Sequence, residues 1–297
     1  MRFRVSHTTA YRSRLPVVMG YHLAYLTPRD CPGQRVRSHE LLVTPTPADR
    51  AGHVDVFGNR FTYFCIEEPH VLFEVTATSE VEVSGRRRFA DPQADWHSGV
   101  ERATDPLLAD FVAFSDFVTS SPSVRDYAAL SFPPGRPLLE ALEELNRRIF
   151  DDFAYDPGWT TVSTPVGVVF ATRRGVCQDF AHLMLACVRS MGLAGRYVSG
   201  YLENRPPDGT DALAGADASH AWVSVLSGDG IWIDLDPTNG LVEPAHHITV
   251  AWGREYSDVA PLRGVVTAPG DPATLSVAVE VERIDYRSPR RHHRNPR

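Results

Sequence analysis

A cysteine, a histidine and a carboxylate stand in chain order in three short segments of this 297-residue chain. The segments are Arg174-Gly175-Val176-Cys177-Gln178-Asp179-Phe180, Ser219-His220-Ala221-Trp222 and Trp232-Ile233-Asp234-Leu235-Asp236-Pro237-Thr238-Asn239. Their chemistry is that of an activated thiol. A thiolate is the reactive species, and a free cysteine at neutral pH is mostly thiol. Cys177 follows a glycine and opens an amphipathic run. The unpaired N–H groups and positive dipole of a helix start favour the thiolate, and the same N–H groups can hold a developing oxyanion. A nearby imidazole acts as base and acid, and a carboxylate fixes its tautomer and stabilises its charge.

The elements that must position these groups are legible as periodicities. From Cys177, the residues Phe180, Leu183, Met184, Cys187, Val188 and Met191 form one apolar helical stripe, and Gly192 ends it. Strands are predicted at Arg196 to Leu202, Ala221 to Leu226 and Ile231 to Leu235. A three-residue hairpin loop, Ser227-Gly228-Asp229, sets His220 opposite Asp236 on one side of a sheet. A two- or four-residue loop would turn His220 to the other face. Asp234 is the competing carboxylate. Upstream, Leu138 to Phe153 carries apolar residues at helical spacing.

The rest of the chain divides by pattern. Residues 1–84 alternate short extended runs with turn residues, which predicts a β-sandwich. Residues 85–137 are mixed, with a helical stretch expected around Pro106 to Val118, and read as a connecting linker that includes a solvated Arg86-Arg87-Arg88 triplet. Residues 138–285 form the second domain, with a late strand around Leu275 to Glu282 closing it. Residues 286–297 read as a disordered basic tail.

Composition narrows the function classes. Hydrophobic residues make up 43% and charged residues 23%, which is ordinary globular usage. Net charge is −7, and every basic residue other than histidine is arginine. An acidic balance disfavours nucleic acid as partner. Four cysteines are too few for a disulfide scaffold and none forms a close metal-ligand pair. No apolar run reaches membrane-spanning length, so a soluble, reducing, cytoplasmic setting is expected, with no membrane partner, cofactor or metal. Cys31, Cys65 and Cys187 read as small apolar residues. His182 reads as structural, and His246-His247 as surface loop histidines. Asp258 either caps a turn or borders the cleft.

The three segments resemble the catalytic motifs of the transglutaminase-like superfamily of papain-type Cys-His-Asp enzymes. The resemblance implies that Cys177 is the nucleophile, His220 the general base and acid, and Asp236 the orienting carboxylate, since the family's acid immediately precedes the Pro-Thr-type segment. His7-Thr8-Thr9-Ala10-Tyr11, Leu26-Thr27-Pro28-Arg29 and Asp55-Val56-Phe57-Gly58-Asn59 resemble the N-terminal β domain of bacterial members, and Tyr256-Ser257-Asp258-Val259-Ala260-Pro261 also looks typical. The implied fold is α+β: an N-terminal β-sandwich, then a papain-like core whose cysteine helix packs on an antiparallel sheet bearing the histidine and the aspartate. Tyr155 and Trp159 become candidates for a second oxyanion donor, with packing against the preceding helix as the competing role. Gln178 follows the cysteine, so the papain-type glutamine that precedes it is not evident. Trp222 is expected to shield the His–Asp pair. Calcium is not carried over, because no EF-hand-like acidic loop occurs. The implied reaction is acyl transfer from a peptide or protein amide through a thioester. Water as acceptor makes a peptidase or amidase, and an amine makes a transglutaminase. Arylamine acetyl transfer fits less well, because those enzymes carry the cysteine nearer the N-terminus. A scaffold with a relic triad is the non-enzymatic alternative.

Overall fold

The computed structural model describes residues 1–84, 93–204, 213–216, 218–268 and 273–284. The Arg86-Arg87-Arg88 triplet and the basic tail lie outside them. Six strands open the chain: β1 (Arg2–Val17), β2 (Met19–Ala24), β3 (Gln34–Thr44), β4 (Asp49–Val54), β5 (Arg60–Ile66) and β6 (His70–Val83). Four helices follow: α1 (His97–Arg102), α2 (Ala109–Val112), α3 (Pro122–Ala129) and α4 (Leu138–Asp152). Then come β7 (Ala154–Tyr155), α5 (Val166–Thr172), β8 (Arg174–Gly175), α6 (Cys177–Ser190), β9 (Gly195–Leu202), β10 (His220–Leu226), β11 (Trp232–Asp236), β12 (Leu241–Val242) and β13 (His247–Gly253). The last described elements are α7 (Tyr256–Val259), β14 (Leu262–Thr267) and β15 (Thr274–Arg283). Among the described residues no helix is long and apolar enough to cross a membrane. The fold is the expected α+β arrangement of a β-sandwich beside a helix-on-sheet core.

The sandwich needs both ends of the chain. Its two sheets have strand orders β15-β1-β6-β3 and β14-β2-β5-β4. The late strand was expected to close the second domain. It pairs instead with β1, Val5 opposite Val281, while β14 pairs with β2, Tyr21 opposite Val265. Without them β1 and β2 would each present an unpaired backbone edge.

Alternation then builds two cores from one strand face. On β6, Phe73, Val75 and Ala77 point into the sandwich against Leu41, Val43, Phe64 and Ile66. Further along the same face, Val81 and Val83 join Phe3, Val5, Val279 and Val281 in the large core that also contains α6. Strands β1 and β6, of 16 and 14 residues, are long enough to serve both.

Helix α6 is enclosed on all sides, its buried Asp179, His182 and Arg189 each hydrogen-bonded. Every residue from Asp179 to Arg189 is buried. It packs on β9 and β10, with α3, α4 and α5 around it. The five-stranded sheet has the order β12-β11-β10-β9-β13. Ala221, Val223, Val225, Ile233 and Leu235 share the core with α6, which leaves His220, Trp222 and Asp236 on the alternate face.

The segment 93–137, expected to be a connecting linker, contributes to the core. Trp96, Val118, Val124, Ala128 and Phe132 lie in the main core. Its helices are too short to show a period, and only tertiary burial reveals their apolar side. The helix expected around Pro106 to Val118 shrinks to a 3₁₀ turn, Pro106–Leu108, and α2.

Candidate active site

Asp236 is the hub. It is fully buried at the end of β11, and its Oδ2 accepts from His220 Nε2 at 2.9 Å, His247 Nε2 at 2.8 Å and Asn239 Nδ2 at 2.8 Å. Its Oδ1 accepts from the backbone N–H groups of Thr238 at 3.0 Å and Asn239 at 3.2 Å. Burial works against the ionised carboxyl, but the His220 charge and the donated hydrogen bonds of His220 and His247 outweigh it, so Asp236 is held far below the usual carboxylate range.

The hairpin reaches this geometry by a shifted register. Its three-residue loop is Gly228-Asp229-Gly230, one residue later than expected, because Ser227 closes on Ile231. Ser227 N–H donates to the Ile231 carbonyl at 2.9 Å, and Ile231 N–H donates to Ser227 Oγ at 3.0 Å. Gly230, at φ 84°, takes the left-handed position. Val223 therefore faces Leu235 and Ser224 faces Asp234. Partners move by two residues, so face parity survives, and His220 meets Asp236 diagonally rather than directly. Asp234 accepts from the Ser224 hydroxyl across the ladder instead.

His220 is buried with both side-chain faces enclosed. Burial disfavours its charged form, yet the Asp236 carboxylate and then Cys177 more than compensate, and its pKa is pushed up to about 10. Its remaining Nδ1 has no hydrogen-bond partner among the described residues, and Cys177 lies near enough to raise the His220 pKa. Backbone at Gly215 (φ 84°) runs so close that a Cβ there would lie 2.7 Å from this Nδ1. Asn239 anchors that segment, accepting from Ala214 N–H at 3.0 Å.

Cys177 is the first residue of α6. The short parallel pair β7–β8 sets Tyr155 beside Gly175, two residues before the thiol. Asp179 buttresses the turn. Its Oδ2 accepts from Val176 N–H at 2.8 Å and Thr160 Oγ1 at 2.6 Å, the N3-to-N-cap half of a capping box. Burial raises the Asp179 pKa, and those two hydrogen bonds oppose the rise. Tyr197 and Tyr256 lie near enough to Cys177 to feel its charge, with their rings edge to face at 6.3 Å.

The other candidates separate. Trp222 is buried, 5.0 Å from the His247 ring and stacked with His220 at 6.2 Å. Gly200 makes room for it, since a Cβ at Gly200 would overlap both the indole and the Ile248 carbonyl. Gln178 donates its side-chain amide to the Val162 carbonyl at 2.8 Å, tying down the preceding loop. Trp159 is half exposed, with the Arg174 guanidinium 5.1 Å over its ring. Tyr155 is also partly exposed. His182 is buried and accepts from Tyr256 N–H at 3.2 Å. Asp258 caps a turn, bonding Arg254 through its backbone N–H and guanidinium.

His247 corrects the expectation of a surface loop histidine. Only His246 is partly exposed, paired with Glu203 at 3.0 Å, whereas His247 is buried on Asp236. The apolar run Ile248-Thr249-Val250-Ala251-Trp252 was the signal that could have found it, since a strand there places His247 at its start. The ligand atoms of His220, Asp236 and His247 lie within 4.8 Å of one another, so this trio could hold a metal ion. Both imidazoles already converge on one carboxylate oxygen at hydrogen-bond distance, so an ion would have to displace those bonds.

Residues 3–82 match the family model of the bacterial transglutaminase-like N-terminal region, and residues 129–237 that of the transglutaminase-like superfamily. An uncharacterized protein of Mycobacterium tuberculosis is 42% identical over 289 residues, which is 94% of this chain and 92% of that protein. A protein-glutamine gamma-glutamyltransferase of Pseudomonas aeruginosa is 30% identical over 125 residues, 40% of this chain and 19% of that one. The crystal structure of a candidate cysteine protease from Cytophaga hutchinsonii superposes with a TM-score of 0.73 at 22% identity, covering 96% of this chain and 92% of the other. That likeness is one of fold.

Proposed function

Because the chain belongs to the transglutaminase-like superfamily, we propose that it is a cysteine-dependent acyl-transfer enzyme that hydrolyses amide bonds of peptides or proteins. One observation carries the reading: a buried imidazole, clamped to a buried carboxylate, turns its free nitrogen toward a cysteine at a helix start. In this reaction the Cys177 sulfur attacks the amide carbonyl carbon. The first-turn N–H groups of α6 receive the oxyanion. The C–N bond breaks, and the proton on His220 leaves with the amine. Water then gives a proton to His220 and attacks the thioester, so that the C–S bond breaks and a carboxylic acid departs. Asp236 keeps His220 oriented and its charge stabilised throughout. We place the protein in a reducing compartment, which keeps the Cys177 thiol available as the nucleophile.

The partial likeness to a protein-glutamine gamma-glutamyltransferase favours a second reading, in which a primary amine replaces water. Casein, offered with and without an excess of monodansylcadaverine and read by mass spectrometry, separates them. New peptide termini support hydrolysis. Loss of ammonia with amine incorporation supports the transglutaminase. Iodoacetamide labelling of Cys177 that is slow at neutral pH and indifferent to His220→Ala, in folded protein with an accessible thiol, would sink both and leave a scaffold.

A further inference from the structure

We infer that His247 is a positioning residue, through which the N-terminal sandwich holds the carboxylate of the catalytic pair. The inference rests on the acyl-transfer reading above. Three observations carry it.

The first is the convergence on Asp236 Oδ2. A carboxylate oxygen that served His220 alone would be free to rotate. Here His247 and Asn239 occupy the rest of that oxygen, while two backbone N–H groups hold Oδ1. The carboxylate is fixed in rotation, so His220 is fixed with it.

The second is the state of His247. The titratable groups that face it are His220 on β10, Asp234 and Asp236 on β11, and Cys31 and Glu243 across a cavity of about 50 Å³. Two imidazolium ions on one buried carboxylate would leave a net buried positive charge. Burial lowers the His247 pKa, Asp236 opposes this, and the His220 charge adds to the lowering. His247 is therefore neutral, and its single proton must sit on Nε2 to donate to Asp236. Its Nδ1 is buried and has no hydrogen-bond partner among the described residues.

The third is the edge of the sheet. Strand β13 is the outermost strand of the catalytic sheet, and two amide side chains of the sandwich occupy backbone groups along it. Gln34 accepts from Thr249 N–H at 2.8 Å and donates to the Thr249 carbonyl at 2.7 Å. Asn59 accepts from Trp252 N–H at 2.9 Å and donates to the Trp252 carbonyl at 2.7 Å. Each amide reproduces the pair of bonds a neighbouring strand would make. Arg29 lies 3.2 Å over the Trp252 ring and bonds Asn59. Asp55 in turn shapes the loop that presents Asn59, accepting its backbone N–H at 2.8 Å. The sandwich thus sets the position of β13, and His247 is its first residue.

The test follows the rate of Cys177 alkylation by iodoacetamide against pH in wild type, His220→Ala, His247→Phe and His247→Gln. Phenylalanine fills the site without a donor, and glutamine returns an N–H near the same place. His247→Phe is expected to slow labelling roughly tenfold at about pH 5.5, and to leave it within about twofold at about pH 9.5, where the thiolate forms unaided. His247→Gln is expected to recover the acidic rate to within about threefold. A folded His247→Phe protein with the wild-type profile overturns the inference, and so does an equal loss at both ends of the profile, the mark of a merely structural role. A wild-type profile that ignores His220→Ala overturns the functional reading itself, and this inference with it. Should His247→Phe fail to fold, ¹⁵N NMR of the wild-type imidazoles decides. A neutral His247 protonated on Nε2 is expected at neutral and alkaline pH, and an imidazolium or an Nδ1–H tautomer there overturns the clamp.

Discussion

Two histidine–aspartate pairs in this molecule have nearly the same geometry and opposite surroundings. His97 Nδ1 lies 2.6 Å from Asp95, with side chains 53% and 38% exposed. His220 Nε2 lies 2.9 Å from Asp236, with both side chains at 0%. The shorter pair is the weaker device. At the surface, water competes for both groups and screens the attraction, so such pairs contribute little. The Asp95 pKa is lowered chiefly by the backbone N–H of His97, with the side-chain bond second. In the interior no water screens the attraction, so His220 and Asp236 strongly shift each other, and His247 adds to the lowering at Asp236. A pair becomes strongly coupled through what encloses it, not through its separation.

Five experiments break or sharpen that contrast. The largest effect belongs to Cys177→Ala, which is expected to abolish covalent labelling at this position and to lower amide turnover by at least about 10⁴-fold. Retained turnover would detach the buried pair from any thiol chemistry. Asp236→Asn comes next. It places an amide against the His220 N–H and favours the wrong tautomer, so turnover is expected to fall roughly 10³- to 10⁴-fold. A fall of less than tenfold would make the buried pair no better than the exposed one.

Stability carries the third. Gly200→Ala drives a methyl into Trp222 and the Ile248 carbonyl, and is expected to cost about 3 kcal/mol or more in guanidinium denaturation. A loss below about 1 kcal/mol would mean that the enclosure of His220 is soft. The pH dependence of that stability has a definite sign. The folded-state pKa of His220 is raised from 6.5 to about 10, so its contribution is complete below 6.5 and is lost as pH rises toward 10. Asp236 is depressed from 3.8, so its contribution is complete above 3.8 and is lost as pH falls. Wild-type stability minus that of His220→Asn should peak between these values and shrink as pH rises from 6.5 to 10; a flat difference would count against the coupling. The smallest effect is at the surface. His97→Ala is expected to change stability by no more than about 0.5 kcal/mol and to leave turnover untouched.

Much of the site was readable before any folding. Cys177 sits at a helix start because an apolar stripe begins there. His220 and Asp236 share a face because three loop residues keep their parity, and that parity held even though the loop lies one residue later. What was not readable depends on partners far away in sequence. His247 looked like a loop residue because nothing local shows that β13 packs against β9, or that Gln34 and Asn59 occupy its outer edge. The helices of region 93–137 lacked a visible period because each is only one or two turns long. The closing strands were assigned to the nearer domain because alternation says that a strand exists but not where it pairs.

The chain's own order of residues thus determined the chemistry available: a thiol at a helix N-terminus, an imidazole and a carboxylate on neighbouring strands. Local periodicity and turn residues are sufficient for that, since each acts within a few positions. Only the tertiary structure decided what this chemistry is worth. It buried the pair, added a second imidazole and an asparagine to one carboxylate oxygen, and brought two amides from the sandwich to the edge of the five-stranded sheet. Those are contacts between residues up to 215 positions apart. Their strength depends on the exclusion of water, which no single segment can achieve alone.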